Sequence, residues 1–121
     1  IERTGRIPDA EYAQRLADAS LLAFPSLYEG FGIPVLEAMA AGVPVVVASG
    51  TPAQDVAGGA GWSVDPGDVT GWAEVLDRAL GDAGARRVAA EAGLRRAAEF
   101  SWEASAAQLE RAWRLALDTP G

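Results

Sequence analysis

Residues 24–49 read FPSLYEGFGIPVLEAMAAGVPVVVAS, and this one stretch sets out the end of a strand, a turn, a helix and a second strand. The run that leads into it, SLLAFPS, is almost wholly apolar and reads as a strand buried on both faces. LYEGFG is then a glycine-bearing loop. A helix follows from about Ile33 to Ala41, with Pro34 in the first turn and Gly42 as the C-terminal stop. VPVVVAS is the clearest strand of the chain, rich in β-branched residues and bounded by turn formers.

The same alternation continues on either side. IERT, residues 1–4, reads as the end of a strand, and Pro8 and Asp9 open a helix on which Tyr12, Leu16 and Ala19 recur at helical spacing. GTPAQDVAGG is a loop with one or two helical turns, and GWSVDP is a weaker strand. Asp68 is placed to cap a helix whose apolar face is Val69, Trp72, Val75, Leu76 and Leu80. From Ala85 the chain reads as helical, with a break near Phe100–Ser101. Trp102, Ala106, Leu109, Trp113 and Ala116 form a narrow stripe on the last helix. Strands alternating with helices predict the α/β class, with a parallel sheet flanked by helices.

Composition excludes several kinds of chemistry. The 121 residues suit one domain, and with 50% of them hydrophobic an ordinary core can form. A net charge of −7 removes any general attraction to nucleic acid or anionic lipid. There is no cysteine for a disulfide or thiolate metal site, and no histidine to act as an imidazole base. Asp65 and Asp68 lack the clustering of a metal site, so neither metal nor cofactor is expected. With no initial methionine, no basic-then-apolar leader and no apolar run of membrane length, the expectation is a piece of a longer cytoplasmic protein. Its small sheet would leave one edge uncovered, so a homodimer through that edge or through the terminal helices is a possible assembly.

Glu29 precedes the glycine turn and Glu37 lies one turn into the helix, with seven residues between them. In open parallel sheets, ligands bind beyond the carboxyl ends of the strands, where this loop falls. A helix N-terminus tolerates an anion there, and Gly30 and Gly32 let a ligand approach the backbone. An ionised carboxylate only accepts hydrogen bonds, and its two oxygens can bridge vicinal hydroxyls. Two hydroxyl-gripping ends with an anion-tolerant middle match the layout of a nucleotide sugar. A purely structural reading covers the same residues, since an acid near a helix start is favourable with no ligand and glycines often precede helices.

FPSLYEGFGIPVLEAMAAGVPVVVAS followed by VDPGD resembles the donor-binding half of the GT-B glycosyltransferases of retaining family 4, whose E-x(7)-E motif is written much like EGFGIPVLE. The resemblance runs from TGRIPDAEYAQRLADAS to FSWEASAAQLERAW, nearly the whole chain. It implies a Rossmann-like sheet belonging to the C-terminal domain of a GT-B fold. Residues 1–84 would be a partial nucleotide-sugar-binding domain and 85–121 a helical C-terminal tail. It also implies that Glu29 contacts the transferred sugar near the reacting centre and is the catalytic residue, that Glu37 holds the ribose hydroxyls, and that the backbone of Gly30, Phe31, Gly32 and Ile33 approaches sugar and diphosphate. The donor would be a UDP-, GDP- or ADP-sugar, and transfer to an acceptor hydroxyl would proceed with retention. The acceptor domain, and the Arg and Lys that neutralise the diphosphate, would lie upstream of residue 1. The full-length enzyme would be cytoplasmic, with membrane association possible.

Gln54 and Asp55 depart from this pattern, standing where the family has a Pro-Glu pair. Two other functions are open: an α/β interaction domain that kept the fold without catalysis, and a phosphorylase or epimerase of the same fold. Trp62, Trp72, Trp102 and Trp113 are expected in the core or in helix packing. By the resemblance the last helix crosses to the other domain, which would leave Trp102 and Trp113 exposed or packed on a second copy. ARRVAAEAGLRRAAE is expected to be a solvated helix face. Tyr28 either lines the site or anchors the loop, and Phe31 is either a side wall or a buried anchor.

Overall fold

A computed structural model describes residues 1–118, the side chains of Ala116 and Asp118 excepted. The elements run α1 (Asp9–Ala17), β1 (Leu22–Phe24), α2 (Ile33–Ala40), β2 (Val45–Ala48), α3 (Pro52–Ala57), β3 (Trp62–Val64), α4 (Val69–Gly81), α5 (Ala83–Ala97) and α6 (Trp102–Asp118). The three strands form one parallel sheet in the order β1-β2-β3. Leu22 pairs with Val45 and Phe24 with Val47, while Val46 pairs with Trp62 and Ala48 with Val64. Three parallel strands flanked by helices make a Rossmann-like α/β fold.

The core forms where β2 meets α2. Val45 and Val47 point into one cluster with Val35, Ala38 and Met39 of α2 and Ala53, Val56 and Ala57 of α3, with Leu22 and Phe24 packed against it. Val46 and Ala48 alternate away from that cluster and are also fully buried, as a central parallel strand requires. β1 differs from expectation here. Its middle residue Ala23 is exposed, because β1 is an edge strand of the described sheet and only Leu22 and Phe24 turn to the core. Residues 1–4 form no strand, since they pair with none of the three strands; they are irregular and exposed.

α5 begins at Ala83, capped by Asp82, whose carboxylate accepts from the Ala85 N–H at 2.9 Å. It lies close on α2 because its inner face is small: Ala89, Gly93 and Ala97 are buried, and a Cβ on Gly93 would stand 3.2 Å from Met39 Cγ. Asp68 caps α4 as expected, accepting from the Gly71 N–H at 2.9 Å. The anticipated apolar face of α4 is buried only in part. Trp72, Val75 and Leu76 are half-buried and Ala79 is fully buried, but Val69 and Leu80 stand out in solvent. Trp62 is also half-buried. Trp102 and Trp113, by contrast, are 88% and 69% exposed, so the stripe of α6 faces outward rather than into the core. The side chain of Ala116 lies outside the described residues.

Candidate functional site

The loop from Pro25 to Gly32 leaves the carboxyl end of β1 and delivers the chain to α2. Gly32 is the N-cap of α2 and adopts φ +102°, a conformation that residues with a Cβ rarely take. It is also buried beneath α3, where an added Cβ would meet Ala53 Cα at 3.1 Å. Close approach at Gly32 is therefore already used by α3. Gly30 has neither restriction: its φ is not positive and nothing lies within 4 Å of its missing Cβ. The carbonyl of Gly32 accepts from the N–H groups of Val35 at 3.0 Å and Leu36 at 3.3 Å. Pro34 has no N–H and Val35 bonds back to Gly32, so among the described residues the start of α2 leaves the Gly32 and Ile33 N–H groups as open donors, fewer than a typical helix start offers.

Glu29 is half-buried, and its Oε1 accepts from Ser26 Oγ at 2.8 Å, which draws the loop back on itself. Glu37, on α2, is exposed at its outer surface, and its Oε2 accepts from the Tyr12 hydroxyl of α1 at 2.9 Å. Among the described residues, no arginine forms an ion pair with either glutamate, and no hydrogen bond joins the two. Burial, then the hydrogen bond to Glu37 and its charge, push the Tyr12 phenol above its ordinary value of 10.0.

Phe31 is 39% exposed and meets Phe100 edge to face, with ring centroids 5.7 Å apart. It thus packs as a partial anchor while keeping an open face. Two clefts lie at this pair. One of about 270 Å³ involves Pro52, Val56 and Arg96, and one of about 400 Å³ involves Ile33, Leu36 and Trp102. Neither glutamate lines either cleft. Tyr28 is 93% exposed and therefore anchors nothing.

Arg96 was hidden in the arginine-rich stretch expected to be a solvated face. It is half-buried instead. Its Nε donates to the Val56 carbonyl at 3.1 Å and its Nη2 to the Asp55 carbonyl at 2.9 Å, closing the C-terminal end of α3. Its guanidinium also lies 4.7 Å from the Phe100 ring centroid. The sequence signal was its place on α5, three residues after Gly93 and one before Ala97, on the edge of the small-residue face. Gln54 ties the turn after β2, accepting from the Gly50 N–H at 2.7 Å, whereas Asp55 is exposed and takes part through its carbonyl.

Residues 1–96 match the family model described as glycosyl transferases group 1. The chain is 40% identical over 115 residues to the O-antigen chain mannosyltransferase B of Escherichia coli, covering 95% of this chain and 30% of that protein. It is 37% identical over 121 residues to the MMP alpha-(1->4)-mannosyltransferase of Mycolicibacterium hassiacum, covering 97% and 29%. A D-inositol 3-phosphate glycosyltransferase of Corynebacterium diphtheriae is 38% identical over 105 residues, covering 85% and 25%. Among solved structures, sucrose-phosphate synthase from Thermosynechococcus elongatus superposes with a TM-score of 0.79 at 32% identity, over 94% of this chain and 29% of that one. The chain thus spans under a third of the length of each of these relatives. With a family match across most of its length and a parallel sheet that superposes on a solved relative, this chain belongs to the glycosyl transferases group 1 family, of GT-B fold.

Proposed function

We propose that this chain is the nucleotide-sugar donor-binding portion of a retaining glycosyltransferase, which moves a sugar from a nucleotide diphosphate to an acceptor hydroxyl. The observation that carries this is a pair of carboxylates without ion-pair partners among the described residues, Glu29 and Glu37, set on either side of the Gly32 turn at the carboxyl end of a parallel strand. Glu29 contacts the transferred sugar as the catalytic residue, and Glu37 accepts from the ribose hydroxyls. Gly30, Phe31, Gly32 and Ile33 present backbone to sugar and diphosphate, with the Gly32 and Ile33 N–H groups as the open donors at the start of α2. The acceptor is held by a partner domain, and the whole enzyme works in the cytoplasm. No helix among the described residues is long and apolar enough to cross a membrane.

Each carboxylate that accepts from a hydroxyl contributes about 1.5–3 kcal/mol, and millimolar affinity corresponds to about 4 kcal/mol. A diphosphate approaching two glutamates on a chain of net charge −7 is repelled, so the expected affinity of this chain is millimolar or weaker. The test is a two-dimensional NMR titration with UDP-glucose, GDP-mannose and UDP; GDP-mannose is included because two of the relatives are named mannosyltransferases. Shifts confined to residues 28–37 support the site. Shifts elsewhere, or micromolar affinity for any of the three, contradict this account.

A further inference from the structure

The one hydrogen bond that reaches the Glu37 carboxylate among the described residues comes from Tyr12, 25 residues earlier and on a different helix. Tyr12 is 36% exposed, and its hydroxyl reaches α2. We propose that Tyr12 is a positioning residue for Glu37: it holds the carboxylate through one acceptor site of Oε2, so that Oε1 and the remaining site of Oε2 face the vicinal hydroxyls of a bound ribose. The inference rests on the ribose-holding role of Glu37 proposed above.

The chemistry of the donor supports this division. A phenol supplies a single O–H, so it engages one carboxylate oxygen and leaves the other with its full acceptor capacity. An arginine in the same place would grip both oxygens in a fork and compete with the ligand. Tyrosine also leaves the carboxylate its charge, which strengthens the hydrogen bonds it accepts from hydroxyls. A glutamate free in solvent must lose rotamer freedom when a ligand binds, and a side chain already held loses less. A plain staple between α1 and α2 would need none of this selectivity. It would predict a loss of stability on removing the hydroxyl, with no effect on which ligands are preferred.

The experiment is a set of NMR titrations with UDP and GDP and with the 2′,3′-dideoxy form of each. The proteins are the wild-type chain, Tyr12→Phe, Glu37→Gln and the double variant. Tyr12→Phe is expected to weaken the ribose forms by about 2- to 10-fold, the range set by freezing one long side chain. It should leave the dideoxy forms unchanged and add nothing when Glu37 is already Gln. Equal weakening of both forms, or an undiminished preference for ribose in Tyr12→Phe, overturns the positioning role. If Glu37→Gln keeps the wild-type preference, or the wild type shows none because neither form is favoured or bound, the Glu37 reading fails and takes this inference with it. If Glu37→Gln abolishes the preference while Tyr12→Phe preserves it, only the role of Tyr12 falls.

Discussion

Gly30 and Gly32 look equivalent in EGFG, and replacing each with alanine should separate them sharply. At Gly32 an alanine must hold φ +102°, a sparsely populated conformation that costs about 1–3 kcal/mol. Its Cβ would also stand 3.1 Å from Ala53 Cα and 3.3 Å from Ala53 Cβ. The first of these is backbone, so α2 and α3 must part, and forced overpacking of this kind costs about 1–3 kcal/mol. Together the two effects predict a loss of about 2–6 kcal/mol, against a total stability of about 5–15 kcal/mol for an ordinary domain. With a urea slope of about 2 kcal/mol per molar, the unfolding midpoint of Gly32→Ala should fall by roughly 1–3 M. Gly30→Ala has neither cost and should move by less than about 0.5 kcal/mol. Urea unfolding followed by far-ultraviolet circular dichroism measures both. A Gly32→Ala midpoint within error of wild type, or a Gly30→Ala loss of the same size, would refute the reasoning.

Two further outcomes follow from single contacts. Gly93→Val would drive a branched side chain into Met39, whose Cγ already lies 3.2 Å from where a Cβ would be, and should cost about 1–3 kcal/mol in the same urea assay; a neutral result would mean that α5 does not seat on α2 as described. The Tyr12 phenol is raised in the folded state by burial and by Glu37, so the fold favours its protonated form. Its contribution to stability is complete below 10.0 and is lost as pH climbs through the raised folded value, so wild type should lose stability relative to Tyr12→Phe only in alkali. Phenolate absorbance should show one of the two tyrosines titrating earlier in Glu37→Gln than in wild type, with part of the shift remaining because burial is the largest single cause.

Much of the chain was legible along the sequence because its signals are local. The order of strands and helices from Ser20 to Gly81 followed from apolar runs, Pro34, Gly42 and the cap at Asp68, each of which acts within a few residues of itself. The position of Glu29 in a loop and of Glu37 on a helix followed in the same way. What the tertiary structure decided depends on segments far apart in the chain. Only the seating of α1 beside α2 brings Tyr12 to Glu37, and only the seating of α5 against α3 turns Arg96 inward to the carbonyls of Asp55 and Val56. Gly32 is buried and Gly30 is open because α3 covers one and not the other. The apolar stripe of α6 has a perfectly ordinary helical period, yet Trp102 and Trp113 remain in solvent, because periodicity shows that a face is apolar and not what covers it.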